Sequence, residues 1–181
     1  MLARTVEAMR AGLEPDPEAA GEQMTEITQQ LPALIPDDYM PDVHLRLVHY
    51  KRIASAPDEE ALRELQVEMV DRFGAIPPPT RSLFRVTGLR LRAARLGLRR
   101  VDVNAGGGRV EFGPATTVDP ATVVTLIQAA PDRYRFDNQQ RLRVIAELET
   151  PGERFECAEQ LLTELETGPQ ALEQAASGRR G

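Results

Sequence analysis

Apolar residues recur at intervals of three and four along six segments of the chain, with polar residues between them. This spacing places the apolar side chains on one face of a helix, so we expect six helices. They cover residues 2–13, 42–54, 59–73, 80–96, 119–130 and 151–165. A glycine or proline follows each segment within a few residues, which is typical of helix ends.

The second and third helices are predicted to form an antiparallel pair. Asp42 can cap the second helix. The side chains expected on its inner face are those of Val43, Leu47, Tyr50 and Ala54. Ser55 and Asp58 have the spacing of a capping box at the start of the third helix. The stripe expected on the inner face of that helix is Leu62, Leu65, Met69 and Phe73.

Strands are predicted where apolar and polar residues alternate. Residues 99–103 and 109–112 flank Gly106-Gly107-Gly108. We interpret the three glycines as a hairpin turn rather than a phosphate loop, because a strand and not a helix follows them. Residues 133–136 and 141–148 are expected to form two more strands, although the latter segment also fits a helix.

Together these elements predict an α+β fold, with a small antiparallel sheet carrying helices on one side. The two helices between residues 42 and 73 should project from it as a pair. We expect an N-terminal helix and an acidic, proline-containing linker in residues 1–22, a single domain in 23–168, and a disordered tail in 169–181. Residues 23–35 are expected to be extended. The first helix has no cap, which suggests that it continues from a longer protein.

The composition offers little support for catalysis. The chain has 181 residues, a net charge of −6, one cysteine and one lysine. His44 and His49 would face different sides of one helix, which makes them a poor metal pair. Cys157 is interpreted as core filler, and no serine lies in a nucleophile elbow. We therefore expect no catalytic residue, no metal and no cofactor. No apolar run reaches the length of a membrane span, and we expect a cytoplasmic protein.

Two helical faces carry charge. The basic face belongs to the helix predicted over 80–96 and contains Arg81, Arg85, Arg92 and Arg95. It fits either a stripe that binds DNA phosphates or, as we favour, a face that pairs with acids elsewhere in the chain. The acidic face belongs to the helix over 59–73 and contains Glu60, Glu64, Glu68 and Asp71. It fits equally well a solvated surface or a docking site for a basic partner.

Several segments resemble the C-terminal domain of the bacterial transcription-repair coupling factors. These are Leu34–Asp42, Tyr50–Ala54, Val70–Pro77, Gly97–Arg99 and Tyr134–Asp137. They lie in the order and spacing that the family shows. The chain is similar to that domain over almost its whole length, and only the tail lies outside the resemblance.

The resemblance implies a regulatory role and not an enzymatic one for this chain. In the family, the full-length protein is an ATP-dependent DNA translocase that engages stalled RNA polymerase and recruits the repair protein UvrA. Its C-terminal domain is expected to pack on an N-terminal UvrB-like module and to mask the surface that UvrA needs. Because that surface is arginine-bearing in the family, the contacts are assigned to Glu64, Glu68, Asp71 and Arg72. The alternative is an accessory DNA-binding domain that uses the arginine stripe.

Overall fold

The computed structural model describes residues 32–137 and 141–167. The helix predicted over 2–13, the linker and the tail over 169–181 lie outside this range. So does most of the segment 23–35 that was expected to be extended, and its described end, residues 32–35, forms no strand.

The described residues form five helices and four strands, in close agreement with the predicted α+β fold. They are α1 (Val43–Ala54), α2 (Glu59–Phe73), α3 (Pro78–Arg95), β1 (Leu98–Asn104), β2 (Gly107–Phe112), α4 (Pro120–Ala129), β3 (Tyr134–Phe136), β4 (Arg141–Ile145) and α5 (Pro151–Thr167). The strands make one antiparallel sheet in the order β1-β2-β4-β3. The segment 141–148, which also fitted a helix, is therefore a strand in its first part.

The sheet buries one face and exposes the other. Val101, Val103, Val110, Leu142 and Val144 alternate along three strands and are at most 2% exposed. They share a hydrophobic cluster with residues of α3, α4 and α5, so the helices cover this single face of the sheet. Period-two alternation gives a strand one apolar face for such packing.

The sequence also signals helix starts at Asp119 and Thr150, each a capping residue followed by proline, and both are confirmed. The Asp119 side chain accepts a hydrogen bond from the backbone N–H of Ala121, and Pro120 occupies the first turn of α4. At α5, the Thr150 hydroxyl accepts from the Glu153 N–H while the Glu153 carboxylate accepts from the Thr150 N–H. Each side chain thereby satisfies a backbone donor that the helix leaves free.

The bounds of α2 match the predicted range of 59–73, but its cap was predicted at the wrong residue. Asp58, not Ser55, is the cap, because its side chain accepts a hydrogen bond from the Ala61 N–H. Ser55 instead ends α1, where its hydroxyl donates to the Lys51 carbonyl. The predicted stripe of α2 is confirmed: Leu62, Leu65 and Met69 are buried and Phe73 packs against them.

The inner face predicted for α1 is wrong except at Tyr50, which packs against the small cluster. Val43 and Leu47 are 59% and 61% exposed, whereas His49 and Ile53 are each 1% exposed. The helix is turned so that Ile53 joins the small cluster shared with α2, and His49 stacks edge-on against Phe73. The His49 imidazole accommodates burial by a 2.9 Å hydrogen bond between Nδ1 and the Leu45 carbonyl.

Helix α3 connects two hydrophobic clusters. Phe84, near its start, belongs to the cluster formed with α1 and α2, which we call the helical half. Leu89 and Ala93, further along, belong to the cluster of the sheet, α4 and α5, which we call the sheet half.

Gly97 then turns the chain from α3 into β1 with φ +66°, and a Cβ there would lie 2.7 Å from the Ala115 carbonyl oxygen. Only glycine accommodates both constraints without strain.

Candidate docking surfaces

The outer surface of α2 presents an apolar side chain between acids. Glu64, Val67 and Asp71 are exposed and lie three and four residues apart, so they share one side of the helix. Val67 is 56% exposed, and the neighbouring Val70 is 43% exposed. Among the described residues, Glu64 and Asp71 take part in no ion pair, so their charges are available to a partner. We call Glu64, Val67 and Asp71 the α2 ridge.

Glu68 lies beside the ridge and is engaged within the domain. Its two carboxylate oxygens accept hydrogen bonds from both Nη atoms of Arg52 on α1, at 2.8 and 2.6 Å. Arg72, one turn further along α2, adds a third contact at 3.3 Å. The hydrogen bonds from Arg52, foremost, and then those from Arg72 lower the pKa of Glu68 from 4.5 to about 2. Glu68 therefore ties α2 to α1.

A groove between α1 and α2 opens next to this tie. Its volume is about 340 Å³, and Arg52, Pro57, Glu64 and Glu68 are among the residues that line it. Glu64 and Glu68 lie one turn apart on α2, so both acids stand on the α2 side of the groove. A basic side chain of a partner would find two carboxylates there.

The predicted arginine stripe on α3 is largely used inside the domain. Arg85 makes two hydrogen bonds to Glu159 of α5, at 3.1 and 3.0 Å. Arg92 and Arg95 both pair with Glu166, at 2.8 and 2.7 Å. The favoured interpretation, pairing with acids elsewhere, is confirmed for these three arginines. Arg81, in contrast, is exposed and shares no ion pair with another described residue.

The outer face of the sheet carries arginines that the sequence reading did not single out. The strand register places Arg109 opposite Arg143, and Arg143 opposite Arg135. Asp102 lies opposite Arg109 and accepts a hydrogen bond from it at 3.4 Å. The signal was present in the alternation of β2, β3 and β4. It could not be used because the register between strands was unknown.

The described residues give no indication of catalytic chemistry. Across 32–137 and 141–167, no cluster of three metal-binding side chains occurs. Cys157 is buried as expected, and burial raises the pKa of its thiol, which disfavours the nucleophilic thiolate.

An apolar cleft of about 570 Å³ lies between α4 and the sheet, with Val124 and Phe136 at its rim. No described helix has the length and apolar character needed to cross a membrane.

The chain is similar to proteins of one family. Residues 29–123 match the model of the TRCF domain family. The transcription-repair-coupling factor of Escherichia coli strain K12 is 43% identical over 166 residues, which are 92% of this chain and 14% of that protein. The corresponding protein of Haemophilus influenzae is 40% identical over 90% of this chain and 14% of its own length. The chain thus spans about a seventh of the relatives it matches.

A solved structure supports the fold. The crystal structure of the C-terminal domain of a transcription-repair coupling factor aligns with a TM-score of 0.58 and 20% sequence identity. The alignment covers 76% of this chain and 91% of that one.

Proposed function

The chain belongs to the TRCF domain family, and we propose that it is a non-catalytic regulatory domain that docks through the α2 ridge. Its partner would be an arginine-bearing, UvrB-like module of the same longer protein. Docking would mask the surface that UvrA needs until RNA polymerase is engaged. The longer protein would supply ATP hydrolysis and DNA translocation.

The observation that carries this proposal is the composition of the ridge. Val67 is 56% exposed between two acids that have no partner among the described residues. A small apolar centre with a charged rim is typical of reversible interfaces between domains. The unpaired carboxylates would steer a basic partner and fix its orientation.

Glu68 has a different role in this proposal from Glu64 and Asp71. Its carboxylate is held by Arg52 at 2.6–2.8 Å, so a partner arginine would have to compete with that contact. We infer that Glu68 and Arg72 shape the interface by fixing α2 against α1. Glu64 and Asp71 would make the direct contacts.

Binding of DNA by the α3 stripe, the alternative function, has weaker support. Three of its four arginines are paired with Glu159 or Glu166 of α5. To bind phosphates, they would have to give up these pairs. Arg81 alone offers little charge for binding a nucleic acid, whose affinity depends on several phosphate contacts.

The experiment is a calorimetric titration of the chain against the separately produced UvrB-like module. Two charge reversals, Glu64→Arg with Asp71→Arg, are expected to weaken binding roughly tenfold or more, because they replace attraction by repulsion at the interface. The control is Glu147→Arg with Glu149→Arg, which makes the same change of net charge at two exposed acids of the sheet half. It should bind like the unchanged chain.

The outcomes separate the parts of the proposal. Equal weakening by both double variants would mean that net charge, and not the ridge, governs binding. Full affinity in the Glu64→Arg, Asp71→Arg variant would move the contact to another surface. Failure of the unchanged chain to bind the module would contradict the docking role. Circular dichroism must first show that both variants keep their helices.

A further inference from the structure

The outer face of the sheet has a row of charged side chains that crosses all four strands. In strand order, the row consists of Asp102, Arg109, Arg143 and Arg135, each opposite the next. Neighbouring strands lie about 4.8 Å apart, so the row is roughly 14 Å long. Among the described residues, the helices cover the other face, and the three arginines of the row are exposed whereas Asp102 is buried.

Positive charge on this face exceeds what the domain neutralises. Asp102 pairs with Arg100 at 2.7 Å and with Arg109 at 3.4 Å, and Glu111 pairs with Arg141 at 2.5 Å. Arg135 and Arg143 are exposed, and they form no ion pair with any residue in the described ranges. Like charges directly opposite each other in a sheet are unfavourable. An anion bound between the two guanidinium groups would remove this repulsion.

The surroundings of the row indicate what kind of anion fits. The described strand positions on this face include no aromatic residue. Ile145, 45% exposed, is a large apolar side chain at the edge of this face. Protein-docking surfaces generally have an apolar or aromatic centre, which is lacking here. Single-stranded nucleic acids generally require aromatic side chains on which bases stack. A phosphate backbone requires neither, because arginine binds it through charge and paired hydrogen bonds.

A hollow adjoins the row. Gly107, in its wall, has φ +121°, and a Cβ there would lie 2.0 Å from the Val144 carbonyl oxygen, so only glycine fits at this position. The hollow has a volume of about 130 Å³, and its lining includes Arg109, Arg143, Asp102 and the turn Gly106–Gly108. A phosphate group therefore has room to approach both guanidinium groups.

We propose that the outer face of the sheet binds the phosphate backbone of duplex nucleic acid through Arg109, Arg135 and Arg143, without reading base sequence. The proposed site is separate from the α2 ridge, because α2 packs on α1 and α3 and the helices cover the opposite face of the sheet. It is also separate from the stripe on α3. The two proposals can therefore fail independently.

The test measures binding of the whole chain to a fluorescent duplex of about 20 base pairs and mixed sequence, by anisotropy at about 50 mM salt. The double variant Arg135→Glu with Arg143→Glu is expected to bind roughly tenfold or more weakly. Lys51→Glu with Arg63→Glu changes the net charge equally at an exposed lysine of α1 and an exposed arginine of α2 and is the matched control. It should retain affinity within about twofold, since distant surface charges are screened.

The salt dependence provides a second measurement. For Arg135→Ala with Arg143→Ala, the slope of log affinity against log salt should fall by about 2, because two phosphate contacts are lost. Absence of duplex binding by the unchanged chain would overturn the proposal. So would an equal loss in the Lys51→Glu, Arg63→Glu control. Displacement of the duplex by polyglutamate at equal charge concentration would also overturn it, and would assign the face to an acidic polypeptide.

Discussion

The two halves of the domain are held together in different ways. Among the described residues, the cluster of the sheet half contains twenty buried hydrophobic residues, whereas that of the helical half contains eight. Polar ties between distant segments supplement the smaller cluster, as the ion pairs between α3 and α5 supplement the larger one. The Ile35 N–H donates to the Tyr50 hydroxyl at 2.6 Å, and the Thr80 hydroxyl donates to the Leu34 carbonyl at 3.0 Å. The proposed docking ridge thus belongs to the half with less buried apolar surface, which is expected to open locally more easily.

Truncation of one core residue in each half should give the largest effects. Leu162 and Met69 are both fully buried, so replacement of either by alanine should lower the free energy of unfolding by about 2–5 kcal/mol. Hydrogen exchange distinguishes the halves. Met69→Ala should speed exchange mainly in α1 and α2, whereas Leu162→Ala should speed it throughout the domain. The same pattern for both variants would mean that the clusters open as one unit.

Ion pairs that differ in burial should show a smaller contrast between the halves. Arg92 and Glu166 are 19% and 21% exposed, whereas Arg52 and Glu68 are 43% and 35% exposed. Double-mutant cycles with Arg→Met and Glu→Gln should give about 1.5–3 kcal/mol of coupling for the first pair, since it is more shielded from water. The Arg52–Glu68 pair should give less than about 1 kcal/mol. Urea unfolding measures both, and the opposite order would assign the stronger tie to the helical half.

The pH dependence of the Arg52–Glu68 tie should be the smallest effect. Hydrogen bonds from Arg52 lower the pKa of Glu68 from 4.5 to about 2, so the ionised form is favoured by folding. Its stabilisation is complete above the unfolded pKa and is lost as the pH falls from about 4.5 toward 2. Glu68→Gln should therefore cost less than about 1 kcal/mol at neutral pH, and nothing near pH 2.

Urea titrations across this pH range would test the prediction. Glu64→Gln is a suitable control, because Glu64 makes no ion pair with another described residue and its replacement removes no such tie. A cost of Glu68→Gln that is unchanged between pH 6 and pH 3 would show that the charge of Glu68 does not contribute to the tie.

Local signals in the sequence were sufficient to predict a helix start where only one residue could act as the cap. Thr150 with Glu153 and Asp119 with Pro120 each fixed a helix start, because no competing cap lay nearby. Between α1 and α2, two candidate caps lie three residues apart. Asp58 takes the capping position because Ser55 ends the preceding helix, so its hydroxyl is used there. A capping pattern alone does not distinguish these uses.

Tertiary packing decided what local patterns left open. The spacing of Val43 and Leu47 fits an inner helix face, yet His49 and Ile53 are the buried residues because α2 and Phe73 pack on that side. Prediction of the charged row on the outer face of the sheet would have required the register of all four strands, including the irregularity between Leu98 and Arg100. Such information depends on turn geometry and long-range pairing, which the alternation of single strands does not contain.

Helix α3 contributes side chains to the cores of both halves. Its 18 residues form a rod about 27 Å long, which packs in the helical half through Phe84 and in the sheet half through Leu89 and Ala93. A force that pulls the α2 ridge away from a partner would reach the sheet through this rod. Departure from the partner would therefore reorient the arginine face together with the ridge. Release of the α2 ridge would thus be linked, through α3, to the position of the outer face of the sheet.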